Sequence, residues 1–237
     1  MDTINLFFNP KNVVLFGASD KPGSVGETTL KNLLLSKDTR AVYIVHPKHE
    51  MLMDVKCYPS LAALPEIPEL AVIATGADHV PEIVEDCGKA GVKAIIIISS
   101  GFNEAGEKGK EREAQIKVSA KHYGMRIIGP NCLGAIRPSS GLNATFARKG
   151  TKPGKIAFLS QSGALGTSVL DWAVSRDIGF SAFVSLGSML DIDFGDLIDY
   201  FGVDPQTKKY HHLSGIAGQQ SGECQEIHER SQRVCPQ

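Results

Sequence analysis

The sequence of 237 residues has no long hydrophobic run and no excess of charge of one sign. Its formal net charge is −1, so it lacks the basic surface that nucleic-acid-binding proteins need. The longest apolar run, 94–98, has the length of a strand and falls far short of the roughly 18 residues of a membrane span. The N-terminus has neither the basic start nor the apolar stretch of a secretion signal. We therefore expect a soluble cytoplasmic protein that binds neither nucleic acid nor membrane.

Cysteine is scarce and irregularly spaced. The five cysteines form no CxxC pair and no metal-ligand spacing, so they predict neither a zinc site nor a disulfide framework. With 42% hydrophobic and 22% charged residues, the chain can bury a sizeable core in one large or two modest domains.

Short apolar runs alternate with helical patterns in the first half of the chain. The runs with strand length are Asn12–Phe16, 42–45, 70–74, 94–98 and Arg126–Ile128. The helical segments between them are 27–35, Val80–Ala90 and 106–122. Apolar runs without strict alternation are typical of parallel strands that are buried on both faces. The pattern predicts a doubly wound α/β domain with a parallel sheet.

A second strand and helix series follows a segment rich in Gly, Pro, Ser and Asn. That segment, 134–154, is predicted to be a loop or hairpin that joins two domains. The second series comprises a strand at 156–159, a helix at 164–176, a strand at 180–186 and the start of a helix at 196. We expect domains at 1–140 and 150–208, the second being incomplete.

The segment 209–237 has no apolar period of either kind. One permitted set of codons for it, read one base later, encodes a hydrophobic strand and then an amphipathic helix. We interpret 209–237 as an out-of-frame or disordered tail on a truncated protein. The alternative is an unusual polar terminus.

A glycine-rich loop follows the first strand. Gly17, Ala18 and Ser19 begin it, Lys21 lies within it, and Ser24, Val25 and Gly26 lead into the first helix. Glycines let a backbone approach a ligand, and amides at a helix start favour phosphate. The spacing departs from GxGxxG, and many α/β proteins use such a loop only for tight packing.

The second strand ends in His46-Pro47-Lys48. A domain that binds NAD favours Asp or Glu here, to hold the ribose hydroxyls. Lys48 instead suits a phosphorylated ribose or a pyrophosphate, although a solvated loop lysine is also consistent with the sequence. Together with the glycine loop, Lys48 favours coenzyme A over NAD.

Another anion site is predicted at the start of the second domain. Ser160, Gln161, Ser162, Gly163 and Ala164 lie between a strand and a helix, where free amides can bind phosphate. A helix cap alone needs one serine and no particular glycine, so the pair of serines and Gly163 favour the phosphate site.

Several motifs identify a family. The GPNCLG segment at 129–134, the SQSGALG segment at 160–166 and the SLGSMLDIDFGDL segment at 185–197 occur in an order that is quite specific. With Gly17-Ala18-Ser19, Pro47-Lys48 and Ser99-Ser100-Gly101, they resemble the NDP-forming acyl-CoA synthetases, relatives of the succinyl-CoA synthetase α subunit. The resemblance covers about 6–208. It implies a Rossmann-like CoA-binding domain followed by a flavodoxin-like domain, and it is closest to long members, some of which also carry a protein acetyltransferase domain.

The resemblance also implies roles for individual residues. The glycine loop would line the nucleotide and pyrophosphate of CoA, and Lys48 would contact a phosphate. Thr75 and Gly76, with Ser99, Ser100 and Gly101, would border the pantetheine arm. Asn131 and Cys132 would lie near the thiol, and the 160–164 segment would bind phosphate.

No catalytic residue is assigned. Cys132 reads better as packing than as a nucleophile, since no histidine is near it in sequence. The family's catalytic histidine lies downstream of Thr207, and His211, His212 and His228 do not lie in its context. Solvated aspartates of a loop and a helix start need no function, so no catalytic role is assigned to Asp191, Asp193 and Asp196.

The implied reaction joins a carboxylic acid, CoA and ATP into acyl-CoA, ADP and phosphate, through an acyl phosphate and a phosphohistidine. ATP and Mg²⁺ would bind only in an ATP-grasp part, as a further domain or a partner subunit. The main alternative is a non-catalytic acyl-CoA-sensing module of a protein acetyltransferase. A stand-alone α subunit and, more distantly, an NAD-linked oxidoreductase also stay open, as does a homo-oligomer.

Overall fold

The computed structural model describes residues 3–213 of the chain. Its strands are β1 (Asn12–Phe16), β2 (Ala41–Val45), β3 (Met51–Leu52), β4 (Val55–Tyr58), β5 (Leu70–Ile73), β6 (Ala94–Ile97), β7 (Arg126–Ile128), β8 (Gly134–Arg137), β9 (Leu142–Thr145), β10 (Pro153–Ser160), β11 (Phe180–Ser185) and β12 (Lys209–Leu213). Its α-helices are α1 (Val25–Leu34), α2 (Val80–Ala90), α3 (Glu107–Tyr123), α4 (Gly163–Ser175) and α5 (Phe194–Gly202). Between residues 3 and 213, no helix is long and apolar enough to cross a membrane.

The first sheet has seven strands in the order β3-β4-β2-β1-β5-β6-β7. All neighbours pair in parallel except β3 and β4, which form a short antiparallel hairpin. Strands β1, β5 and β6 are fully buried, as their continuous apolar runs predict. The predicted α/β class is confirmed. The strand order reverses at β1, which has β2 on one side and β5 on the other, and ligands of open α/β sheets bind at such a point.

The second sheet has five strands in the order β12-β10-β11-β8-β9. Strand β10 pairs in parallel with β11 and β12, whereas β8 and β9 form an antiparallel hairpin on the other edge. The predicted hairpin in 134–154 therefore exists. It belongs to the second sheet, so the sheet begins at Gly134, before the predicted end of the first domain at 140.

The residues Lys209–Leu213, predicted to begin the tail, form β12 beside β10. Their sequence, KYHHL, does not predict a strand because it contains no apolar run. The predicted boundary at 208 thus differs from the structure by one strand. The rest of the proposed tail, 214–237, lies outside the described residues.

One hydrophobic cluster extends through both sheets. It includes Leu15 and Ile96 of the first sheet, Leu159 and Val184 of the second, and Phe201 of α5. Phe8 stacks on Tyr200, with ring centroids 5.2 Å apart, and lies 4.9 Å from Phe201. The two domains are therefore packed against each other through a common core, and this packing sets the position of α4 relative to β5 and β6.

Candidate active site at the domain interface

A cavity of about 570 Å³ lies where the two domains meet. Its lining from the first domain is Val25, Ala74, Thr75, Gly76, Ile98, Ser99, Ser100, Asn131, Cys132 and Leu133. Its lining from the rest of the described chain is Phe146, Gly163, Ala164 and Thr167. The loops that follow the carboxyl ends of β5, β6 and β7 form one wall, and the N-terminus of α4 forms the other. This volume is within the range of about 300–1,000 Å³ that is usual for small-molecule sites.

The glycine loop after β1 is shaped by close packing. Gly17 has φ +86°, and a Cβ there would be 2.5 Å from the carbonyl oxygen of Ala74. A Cβ on Gly26 would be 2.0 Å from the carbonyl oxygen of Gly17. Only glycine fits at these two positions, because Gly17 lies against the backbone of Ala74 after β5 and the first turn of α1 lies directly on Gly17. The packing role that we considered for these glycines is therefore present, and it brings Val25 to the cavity wall.

Ser24 is the N-cap of α1, where its hydroxyl accepts a hydrogen bond from Glu27 N at 3.2 Å. It lines a second cavity of about 520 Å³ rather than the first. Val25, Phe146 and Thr167 line both cavities, and Arg148 and Lys149 lie at the rim of the second. Ser24 and Val25 thus lie between the two cavities at the start of α1.

The loops after β5 and β6 are linked by a buried serine. Ser99 Oγ donates a hydrogen bond of 2.7 Å to the carbonyl oxygen of Thr75. The carbonyl oxygen of Ser99 accepts from Asn131 N at 2.9 Å, which ties in the loop after β7. Four predicted pantetheine residues, Thr75, Gly76, Ser99 and Ser100, therefore lie on one continuous wall of the cavity.

Asn131 and Cys132 lie together at the end of β7, and their environments differ. Asn131 is exposed and has φ +56°, a left-handed conformation that asparagine tolerates. Cys132 is buried, and its thiol donates to the carbonyl oxygen of Ile97 at 3.3 Å. Burial raises the pKa of Cys132 to about 12, so the thiol stays protonated at neutral pH. A protonated, hydrogen-bonded thiol acts as packing and not as a nucleophile.

The first turn of α4 faces the cavity. Ser162 is the N-cap, and its hydroxyl accepts from Leu165 N at 3.3 Å. Ser160 is fully buried and donates to the carbonyl oxygen of Ser162 at 3.0 Å, so it shapes the turn from below. Gly163 and Ala164 are the members of this segment that line the cavity. The first amides of a helix have no intrahelical acceptor, and they favour an anion in front of them.

Several predicted residues do not line this cavity. Gly17, Ala18, Ser19 and Gly26 belong to the glycine loop and the first turn of α1, and Gly101 and Gln161 adjoin lining residues in sequence. Lys21 and the Pro47-Lys48 pair are exposed at other strand ends. The His46 imidazole holds this last turn, since Nδ1 accepts from Lys48 N at 3.1 Å and from His49 N at 3.0 Å.

The three aspartates without an assigned role, Asp191, Asp193 and Asp196, have structural partners. Asp191 accepts from Arg126 Nε at 2.9 Å and from Ile127 N at 2.7 Å. Asp193 and Asp196 form a capping box at the start of α5, and Asp196 also pairs with Arg126. These side chains fasten the loop before α5 to β7. Among residues 3–213, no group of His, Cys, Asp and Glu is arranged to hold a metal ion. His211 lies in β12, and His228 lies outside the described residues.

The sequence did not predict five wall residues, Ala74, Ile98, Leu133, Phe146 and Thr167, although Ala74 and Ile98 directly precede the predicted Thr75 and Ser99. Leu133 directly follows Cys132, so the GPNCLG motif could have suggested it. Phe146 follows the β8–β9 hairpin, and Thr167 lies one turn into α4 beyond Gly163. Their place in the wall depends on how the domains pack, which no local pattern reports.

Comparison with known proteins assigns both domains. Residues 11–138 match the CoA binding domain, and residues 153–212 match the succinyl-CoA ligase-like flavodoxin domain. The α subunit of acetate–CoA ligase (ADP-forming) I from Pyrococcus furiosus is 42% identical over 210 residues, which cover 87% of this chain and 46% of the relative. Acetate–CoA ligase (ADP-forming) I from Archaeoglobus fulgidus is 43% identical over 200 residues, or 84% of this chain and 29% of the relative.

A solved structure agrees with this comparison. The dinucleotide-forming acetyl-coenzyme A synthetase 1 of Ca. Korarchaeum cryptofilum, in complex with phosphate and ADP, superposes with a TM-score of 0.90 at 39% identity. The match covers 99% of this chain and 50% of that one. This chain therefore spans about half or less of the length of the relatives it matches.

Proposed function

This chain belongs to the family of CoA-binding domains and also contains a succinyl-CoA ligase-like flavodoxin domain, and we propose that it forms the CoA-binding part of an NDP-forming acyl-CoA synthetase. The complete enzyme would join a carboxylic acid and CoA at the expense of ATP, releasing ADP and phosphate. CoA would bind along the carboxyl ends of the first sheet, with its thiol at the domain interface.

The cavity between the two domains is the observation that carries this proposal. A CoA-dependent acyl transfer must bring a thiol and a phosphorylated acyl group together. The wall formed by Thr75, Ser99 and Asn131 belongs to the CoA-binding domain, and the wall formed by Gly163 and Ala164 starts a helix that favours anions. One cavity thus offers a place for the pantetheine arm and a place for a phosphate.

The residues of this chain would bind and orient rather than react. The hydroxyls and backbone groups of the loops after β5 and β6 would hold the pantetheine arm, and Lys48 would meet a phosphate of CoA from the end of β2. The amides of α4 would stabilise the charge of an acyl phosphate as the thiol, having lost its proton to solvent, attacks the carbonyl carbon and displaces phosphate. No described side chain is assigned a catalytic role.

The nucleotide would bind elsewhere. ATP, ADP and Mg²⁺ belong to an ATP-grasp part, either a further domain or a partner subunit, and the α subunit named among the relatives supports the second arrangement. The ligase names of the relatives also favour a ligase over an acyl-CoA-sensing module.

Calorimetric titration of the purified chain tests the proposal, with CoA as ligand and NAD as the control. We expect CoA to bind and NAD not to bind. Binding of NAD without CoA would overturn the assignment. So would the absence of CoA binding in a sample whose circular dichroism and thermal melt show a folded protein.

A further inference from the structure

Arg112 connects the two loops that border the cavity, although it lies on α3, outside the cavity wall. Its Nη1 donates a hydrogen bond of 2.8 Å to the carbonyl oxygen of Gly101, after β6. Its Nη2 pairs with the carboxylate of Asp78, which follows Thr75 and Gly76 after β5. A planar guanidinium can hold two acceptors at a fixed separation, which a lysine ammonium cannot do in the same way.

The two loops also touch each other at the points that Arg112 joins. Gly101 has φ +103°, and a Cβ there would lie 3.0 Å from the Cβ of Ala77. On the cavity side, Ser99 Oγ donates to the carbonyl oxygen of Thr75. The loops are therefore fastened twice, by Ser99 inside and by Arg112 outside, and the residues between the two fasteners form the cavity wall.

Helix α3 is fitted closely to the loop after β6. A Cβ on Gly109 would lie 1.6 Å from the carbonyl oxygen of Phe102, so the helix backbone rests directly on the loop. Glu113 accepts from Asn103 N at 3.1 Å, and Glu104 accepts from Gly101 N at 2.7 Å. Of these groups, Arg112 is the one that also reaches the loop after β5.

We propose that Arg112 is a positioning residue for the pantetheine arm of CoA, because it holds the loops after β5 and β6 at the separation that admits the arm. The proposal rests on the proposed function. Arg112 does not contact the cavity itself, and it acts through Thr75, Gly76, Ser99 and Ser100. The Arg112 side chain is 21% exposed and that of Asp78 is 79% exposed, so the Asp78 end of the link lies at the surface.

The test compares Arg112→Met with Lys110→Met in the full chain. Lys110 lies on the same helix and pairs with Glu107, at 2.8 Å and at an exposed site. Both variants remove one positive charge from α3, so a general loss of attraction for anionic CoA affects them equally. Each is titrated with CoA and with adenosine 3′,5′-bisphosphate, a fragment that lacks the pantetheine arm.

We expect Arg112→Met to weaken CoA about tenfold while the affinity for the fragment stays within twofold of the wild type. Lys110→Met should leave both affinities unchanged, and Arg112→Lys should restore CoA binding only in part. Asp78→Ala removes the same link from an exposed residue, so it gives the answer if Arg112→Met does not fold. A weakening of CoA in this variant supports the proposal.

Three results would overturn the proposal. The first is unchanged CoA affinity in Arg112→Met, or in Asp78→Ala where it is the variant tested. The second is an equal loss of CoA and fragment binding, which is the sign of general structural damage. The third is a wild-type chain that binds the fragment and CoA with equal affinity, since the arm then contributes nothing. Failure of the wild type to bind CoA at all contradicts the proposed function as well, so the two failures are distinguishable.

Discussion

The turn that carries Lys48 depends on the protonation state of His46. The Nδ1 atom of His46 accepts two backbone hydrogen bonds, which is open only to an imidazole that carries no proton on that nitrogen. Burial lowers the pKa of His46, and the nearby His49 and Lys48 lower it further. The neutral ring therefore dominates at pH 7, and the backbone after β2 keeps the conformation that presents Lys48.

Replacing Lys48 with glutamate should weaken CoA binding by at least about tenfold. A charge-assisted contact to phosphate contributes about 1.5–3 kcal/mol, and about 1.4 kcal/mol corresponds to a factor of ten. Lys37→Glu makes the same change of charge at an exposed position after α1 and serves as the control. Calorimetric titration of both variants with CoA gives the comparison. Equal affinities would remove Lys48 from the site.

At the scale of elements, the start of α4 is the part of the site that most depends on backbone geometry. Ala164→Glu would place a carboxylate among the first amides of the helix, at a residue that lines the cavity. A glutamate in the first turn stabilises a helix by about 0.3–1 kcal/mol, so the variant should fold. We expect its affinity for inorganic phosphate, followed by the amide shifts of Gly163 and Ala164 in NMR spectra, to fall at least roughly tenfold.

The matched control for this helix is Ser168→Glu. Ser168 is exposed on α4, four residues further along, and it does not line the cavity. Its phosphate affinity should stay close to that of the wild type. If the two glutamates weaken phosphate equally, the anion is attracted by the overall field of the protein and not by the helix start.

The elements differ in how well the sequence predicts them. The buried strands β1, β5 and β6 and helix α2 are predicted within one residue, since each is a long apolar run or an amphipathic pattern. Strand β12 is missed because its pairing with β10 stabilises a segment whose own sequence is polar. The hairpin β8–β9 is anticipated, but its sheet is not, because the choice of sheet depends on contacts distant in sequence.

The residues of the site also differ in how well the sequence predicts them. Thr75, Ser99 and Asn131 follow strands whose carboxyl ends meet at one edge of a parallel sheet, so the sequence predicts that they lie close together, whereas their roles toward CoA are implied by the family resemblance. The approach of α4 to that edge depends on the packing of two domains, so the strand–helix turn predicted an anion site at 160–164 but not its place beside the first sheet. Arg112 belongs to no sequence motif. Its proposed role is based on the contacts of its guanidinium with Gly101 and Asp78.

At the scale of the whole molecule, the two domains behave as one packed body. The buried cluster that runs through both sheets is one reason, and a second is a set of polar contacts across the interface. Asn32 of α1 donates from Nδ2 to the carbonyl oxygens of Thr145 and Ala147, at 2.8 and 2.9 Å. These bonds hold the segment that contains Phe146 against the start of α1, so the interface and the cavity wall are stabilised by the same contacts.

Asn32→Ala should therefore lower the free energy of unfolding by about 2–4 kcal/mol, because it removes a buried donor from two carbonyl oxygens. Asn9→Ala removes an exposed side-chain bond to Asn5, and it should cost less than about 0.5 kcal/mol. Urea denaturation of both variants gives the free energies.

The only tryptophan, Trp172 on α4, reports on the second domain by fluorescence, whereas far-UV circular dichroism reports on both. In the wild type the two signals should change at one urea concentration, as cooperative unfolding requires. Separate transitions would show that the domains unfold independently, and a loss of stability equal to that of Asn9→Ala would show that Asn32 does not fasten them.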